Sequence, residues 1–377
     1  MKAVGLITEY NPLHNGHLYH LKQAEKSTEA DIVIVIMSGN WVQRGLPAIA
    51  DKWQRAQAAI DAGADLVFEL PFYYAAQAGD IFADGAVRLL ADLQAASIVC
   101  GSEHADTDFI DLAKQAPATD GDMTFDVKNQ TYASNFAAAL QAKTGFQLEN
   151  ANDILAFSYA KAILKQKLQG RLQLLTIPRV AAGYHDDVLN NGRIASATAI
   201  RKALADEQDI SAFTPMKNLK YTDYEEKLFE LLKYRLSTDG LGQIRSVYQV
   251  NEGMEFLIKQ AIEKNPLNFA EFIAMIKSKR YTFARLHRVL VYILLNIKVD
   301  QMNLAMQNPY HRLLAFTQAG RAYLHEKKKQ FQLPIISHVD QKIANKSLNI
   351  DYKAGLVYDQ IMGIKDAQDI KRTPIQA

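Results

Sequence analysis

A single cysteine, Cys100, in 377 residues excludes an intramolecular disulfide. Its place in the apolar run Ser97-Ile98-Val99-Cys100 predicts a buried structural thiol rather than a nucleophile. Long hydrophobic runs are missing too. The longest, Val289–Ile297, falls well short of the roughly 20 apolar residues that a membrane-spanning helix needs, so no membrane partner is expected. Glu9 interrupts the only apolar stretch near the start, which argues against a secretory signal and, with the lone thiol, for a cytoplasmic setting. Internal repeats and low-complexity linkers are likewise absent. Net charge is only +2, but it is unevenly shared. Residues 211–377 carry 25 Lys and Arg against 16 Asp and Glu, or +9, while residues 1–210 carry 18 against 25, or −7. That asymmetry admits a nucleic-acid partner for the basic half, as it admits solvated basic helix faces.

What is present is a globular chain long enough for two domains. Short β-branched runs at Lys2–Ile7, Asp31–Met37, Asp65–Leu70, Ser97–Cys100 and Leu172–Ile177 read as strands. Between them, Asp51–Ala62, Ala78–Leu93 and Asp153–Gln166 read as helices. This alternation predicts an α/β fold with a parallel sheet covered on both faces. Residues 106–151 break it and look like an insertion with a helix around Thr131–Ala142. From Tyr221 onward the pattern becomes helical, over Tyr224–Tyr234, Gly253–Lys264, Phe269–Lys277, Tyr281–Ile297 and His311–Lys328. The boundary falls between Asp206 and Lys220, around Pro215.

The most informative motif is His14-Asn15-Gly16-His17, placed just after the first strand and opening the amphipathic stretch Leu18 to Ala24. Two histidines three apart at a helix start share a face, and the free N–H groups and positive dipole end there favour an anion. Gly16 allows close backbone approach. A polar cap with no ligand is the plain alternative. Further on, Ser196 and Thr198 open a helix whose next turn carries Arg201, a second arrangement suited to phosphate.

With these features the sequence resembles the HxGH nucleotidyltransferase superfamily, whose histidines hold ATP phosphates and stabilise charge at the α-phosphorus. That resemblance implies catalytic roles for His14, His17 and Arg201. It also implies phosphate contacts from Ser196 and Thr198, although Ala195 and Ala197 replace two positions of the superfamily's second motif. Four further stretches narrow it. They are Thr8–Pro12, Met37–Gly45, Gly101-Ser102-Glu103, and Arg179 with Ala182–Asp186. Together with Lys277–Thr282 they make the chain similar, over nearly its whole length, to the tRNA(Met) cytidine acetate ligase family. The resemblance implies ATP-dependent activation of acetate as acetyl-adenylate, with Mg²⁺ on the triphosphate. Acetylation of the wobble cytidine of elongator tRNA(Met) to N4-acetylcytidine would follow. Its nucleotide contacts map onto Ile7, Thr8, Glu9, Tyr10, Asn11, Pro12, Leu13, His14, Asn15, Gly16, His17, Leu18, Tyr19 and His20. Gly101, Asn152 and Arg179 complete the set. Arg44 is a candidate for pyrophosphate or acetate, or equally for a loop-anchoring ion pair.

The resemblance thus implies a Rossmann-like nucleotidyltransferase domain over residues 1–210 and an α-helical, basic tRNA-binding domain over 211–377. In the second, Lys277, Lys279, Arg280, Arg285 and Arg288 interleave with Tyr281, Phe283 and His287, and Lys327–Lys329 would extend the patch. Cations position RNA and aromatic faces stack bases. Two other readings stay open at this point: a small-metabolite adenylyltransferase, and a non-enzymatic tRNA-binding protein with an ATP-sensing site. A class I aminoacyl-tRNA synthetase fits poorly, because Lys277-Ser278-Lys279-Arg280 lies in a helical pattern, too far along for the mobile loop of that class.

Overall fold

The β-branched runs of the first half do become strands. The computed structural model describes residues 1–116, 132–179 and 193–377. Eight strands form one sheet: β1 Ala3–Thr8, β2 Ile32–Ser38, β3 Leu66–Leu70, β4 Ser97–Ser102, β5 Gln173–Pro178, β6 His311–Phe316, β7 Ile335–Ile336 and β8 Ile375–Gln376. Their order is β5-β4-β1-β2-β3-β6-β7, with β8 also on β6. Every pairing is parallel except β3 with β6. The order reverses between β1 and β4, because β2 and β3 add on one side and β4 and β5 on the other. A crevice outside the carboxyl ends of strands at such a reversal is where ligands bind in this class of sheet.

Apolar runs without alternation fit strands buried on both faces. On one face Val4, Leu6, Val33, Val35 and Val99 meet Leu21 and Ala24 of the helix Asn15–Thr28 and Trp53 and Ala56 of the helix Lys52–Asp61. On the other, Ile34, Ile36, Phe68 and Ile98 pack with Ala86 and Leu90 of the helix Gly79–Asp92. That second core continues without a gap into Leu232, Phe272 and Leu290 of the helical half. The helix expected around Thr131–Ala142 spans Tyr132–Thr144, while Thr131 and Ala182–Asp186 lie outside the described residues.

One expectation is overturned. His311–Lys328, read as a single helix, splits into the strand His311–Phe316 and the helix Gln318–Lys327. A short run such as His311-Arg312-Leu313-Leu314-Ala315-Phe316 fits either period, and here burial and antiparallel pairing with β3 decide. The Thr317 hydroxyl accepts from Gly320 N–H at 3.1 Å and starts the helix anew. The residues beyond 211 are therefore mainly helical but contribute three strands to the common sheet.

Residues 349–369 also strap the site's supports. Lys52 Nζ lies 2.7 Å from Glu69 Oε2 and 2.7 Å from Asp369 Oδ1, all three buried. The indole of Trp53 donates to Gln368 O at 2.7 Å and that of Trp41 to Ala354 O at 2.9 Å. Removing the ammonium would leave two buried carboxylates facing each other. Lys52→Ala should therefore cost about 3–5 kcal/mol of unfolding free energy. Urea titration of the variant beside the wild type measures this, and a loss under about 1 kcal/mol would mean the pair is solvated rather than structural.

Candidate active site

His14 is the N-cap of the first helix, in extended backbone at φ −137° and ψ 172°. Its Nδ1 accepts from Gly16 N–H at 3.1 Å, and His14 N–H donates to His17 Nδ1 at 3.2 Å. The two rings stack with centroids 3.7 Å apart, and Tyr10 meets His17 edge-on at 4.9 Å. A Cβ on residue 16 would come within 2.9 Å of the His14 ring, so glycine is what lets that ring cap the helix. Because each Nδ1 is an acceptor, a neutral ring carries its proton on Nε2 and offers it as a donor. The rings are neutral. Burial, then Arg179 and Arg201, push His14 down to about 4. Burial, then His14, His20 and Arg179, hold His17 well below the usual imidazole range. Burial likewise takes His20 to about 4, its Nε2–H donating to Val99 O at 3.0 Å and tying the helix to β4.

The second expected phosphate motif lies alongside the first. Ser196 caps the helix Ala197–Ala205, its hydroxyl accepting from Ala199 N–H at 3.0 Å. Arg201 Nη1 donates to Asn11 O at 2.7 Å and Nη2 to Thr198 Oγ1 at 3.1 Å. Asn15 Nδ2 reaches Arg193 O at 2.7 Å and Ala212 O at 2.9 Å, and Thr214 donates to Leu13 O. Thr8, Tyr10, Asn11, Pro12 and Leu13 are buried, so this stretch offers a ligand its backbone more than its side chains. The Asn11-Pro12 peptide is cis, and Asn11 Oδ1 accepts from Ile49 N–H at 2.9 Å. Ile7, Leu18 and Tyr19 are half-buried, with Ile7 and Leu18 packed against the sheet's cores.

Gly101, Asn152 and Arg179 meet at one acidic hub that the sequence named only in passing. Glu103 Oε1 accepts from Asn152 Nδ2 at 2.6 Å and from Arg179 Nη1 at 3.2 Å. The Arg179 side chain passes close to Gly101. Beneath the hub, buried Asp153 accepts from Ser102 Oγ at 2.6 Å and pairs with His104 Nδ1 at 2.7 Å. The available signal was Ser102-Glu103-His104 falling just past β4 on the ligand edge. Cys100 is partly covered, and burial, then Asp153, push its thiol up to about 12, which fits an inert thiol.

The basic cluster divides. Lys277–Thr282 is a loop between the helices Phe269–Ile276 and Phe283–Leu294, not part of a helix. Lys279 and Arg280 are exposed there, as is Phe283 at 56%, with Lys277 Nζ 5.2 Å from its ring. Tyr281 is only 4% exposed and cannot stack a base, whereas the Phe283 ring is accessible. Arg285 donates to Asn251 Oδ1 at 2.8 Å and lies over Tyr281. Arg288 turns toward the first half, where a Cβ on Gly45 would sit 2.7 Å from its backbone. His287 stacks on Phe269 and is held neutral by burial, then by Arg44 and Arg288.

Lys327–Lys329 do not extend this patch. They follow Glu326, which pairs with the Met1 amino group at 3.3 Å at the opposite end of the strands. A sequence-adjacent run of charge gave no hint of which sheet edge it would reach.

His14→Asn tests the double duty of the histidine. Asparagine Oδ1 can replace Nδ1 as the cap acceptor but supplies no Nε2–H. The variant should keep the wild-type melting temperature while nucleotidyl transfer falls by about a hundred- to a thousandfold. Stability should also depend on pH. Unfolded histidines titrate near 6.5 and the folded ones lower, so between pH 6.5 and about 4 the unfolded state binds more protons. Stability is full above that window and falls as pH drops through it. His14→Asn should flatten that slope by about one proton in urea titrations without nucleotide.

This geometry has counterparts. The HIGH Nucleotidyl Transferase family model matches residues 1–373. The tRNA(Met) cytidine acetate ligase of Oenococcus oeni is 76% identical over 377 residues, covering all of both chains. That of Leuconostoc citreum is 50% identical, covering 100% of this chain and 97% of its own. Among solved structures, apo Thermotoga maritima TmcAL matches with a TM-score of 0.87 at 27% identity, over 100% of this chain and 99% of that one. The same protein bound with alpha-thio ATP matches at 0.83 and 26% identity, with the same coverage.

Proposed function

This chain belongs to the tRNA(Met) cytidine acetate ligase family of HIGH nucleotidyl transferases, and we propose how its residues share that ATP-dependent work. ATP sits in the crevice between β1 and β4, its phosphates over the start of the first helix. The observation that carries this reading is the pair of neutral, stacked imidazoles of His14 and His17, each with Nε2–H as its free donor and Arg201 beside them. Acetate attacks the α-phosphorus, pyrophosphate leaves, and these donors stabilise the charge that grows on the phosphate oxygens. Asn152 and Arg179, aligned by Glu103, bind the nucleotide beside Gly101. Ser196 and Thr198 add hydroxyl and N–H contacts to the phosphates.

Mg²⁺ comes in with the triphosphate. No group of three or more potential ligands stands together among the described residues, so its ligands would be phosphate oxygens and water, and no step here is routed through it. The second substrate is elongator tRNA(Met), held by Lys277, Lys279, Arg280 and Phe283, with Arg285 and Arg288 bracing the same helix. Residues 1–210 thus perform activation and residues 211–377 bind RNA on the same sheet edge. No helix of the described residues is long and apolar enough to cross a membrane, and the work is done in the cytoplasm.

Labelled pyrophosphate should exchange into ATP only when acetate is present, because the phosphate-binding groups all precede residue 211. Exchange supported by nicotinate mononucleotide instead would overturn the reading. Lys279→Ala combined with Arg280→Ala should leave that exchange intact and weaken tRNA binding. Each lost phosphate contact should flatten the log-affinity against log-salt slope by about 0.7–0.9.

A further inference from the structure

An amine that becomes an amide must lose a proton, and none of the roles assigned above takes that proton. We propose that Glu9 is the catalytic residue of the acetyl-transfer step. Its carboxylate accepts a hydrogen bond from the 4-amino group of the target cytosine, aims that amine at the acetyl carbonyl, and takes its proton. The inference rests on the two-step reading and deepens it.

Glu9 directly follows β1, on the ligand edge of the sheet. It is pinned twice: its carbonyl accepts from Arg55 Nη1 at 2.7 Å, and its Oε1 accepts from Gln43 N–H at 2.8 Å. The side chain is partly exposed, and among the described residues nothing occupies Oε2. A carboxylate fixed by one oxygen and open at the other is a prepared acceptor.

Its neighbours place it between the two substrates. Two residues on, Asn11 O takes the Arg201 guanidinium, and the capping His14 follows three residues later. In the other direction, two residues past Gln43, Gly45 packs against the backbone of Arg288, on the helix that begins at the exposed Phe283. The phosphate grip and the RNA patch are thus joined through the segment that holds Glu9. Tyr159 lies within electrostatic reach of Cys100 and Glu9, and burial first, then these two neighbours, hold its phenol protonated.

The chemistry selects the base. Cytosine presents a 4-amino donor where uracil presents an O4 acceptor, and a carboxylate complements the first and repels the second. In the transfer step the N4 lone pair forms the C–N bond. The acetyl C–O bond to phosphate breaks, its electron pair leaving with AMP. The amine proton passes to Glu9 Oε2 and then to solvent.

The test uses the full chain with ATP, labelled acetate and unmodified elongator tRNA(Met). Glu9→Gln keeps an acceptor for Gln43 N–H but cannot take a proton. Acetyl transfer in a single turnover should fall by about a hundredfold or more, and by at least about tenfold more than acetate-dependent pyrophosphate exchange. Glu9→Asp keeps the base but withdraws it, so transfer should rank wild type, Asp, Gln. That ranking remains readable if the Gln variant folds poorly. Equal loss of exchange and transfer would return Glu9 to the nucleotide half, and unimpaired transfer in either variant would overturn the proposal. A wild-type protein without acetate-dependent exchange would instead sink the two-step reading.

Discussion

Four backbone carbonyls converge on one buried guanidinium, and the crevice keeps its shape because they do. Arg55 is fully buried, yet none of its hydrogen bonds is to a carboxylate. Its Nε donates to Ala50 O, its Nη1 to Glu9 O and Ser38 O, and its Nη2 to Gly39 O. Glu9, Ser38 and Gly39 lie at the carboxyl ends of β1 and β2, where carbonyls run out of ladder partners. A buried charge is costly, and here aligned carbonyl dipoles, with Asp51, Glu69 and Glu9 in electrostatic reach, offset that cost. A lysine could not take this place, since one ammonium cannot fan out to four acceptors held in a plane. The carboxyl ends of β1 and β2 are fixed to each other and to Ala50 by this residue.

On that footing, short segments each do two jobs. His14 caps a helix through Nδ1 and leaves Nε2 outside the cap, and Gly16 makes room for the ring. Arg201 braces the Asn11 carbonyl while its positive charge stays beside the histidines. Glu103 serves Asn152 and Arg179 together. The polar groups are therefore oriented by internal hydrogen bonds before substrate arrives, so little reorganisation remains for the reaction itself.

Much of this was legible from residues alone, and for identifiable reasons. The strands of the first half announce themselves through unbroken apolar runs between turn residues, and HxGH is readable because it falls between a strand and a helix. The run His311–Phe316 is ambiguous because four apolar residues, Leu313 to Phe316, satisfy two periods, and only its partner β3 resolves them. Arg55 looks like any helical arginine in sequence, since nothing local says that carbonyls from three other segments will surround it. The Lys277–Arg288 cluster reads as one patch, yet Lys279 falls on an exposed loop while Arg288 sits on the next helix where its backbone meets Gly45. Long-range placement, not chemistry, is what one dimension withholds.

The order in which the chain is made meets the order in which the sheet closes. β3 needs β6 as its neighbour, and Lys52 and Glu69 need Asp369, which is made about 300 residues later. At roughly 5–20 residues per second, the ribosome leaves that gap open for about 15–60 s. Until β6 follows, about 240 residues after β3, the nascent chain carries an uncovered sheet edge, which is a ready template for pairing with another chain. The first half is thus completed only when the second half has been made.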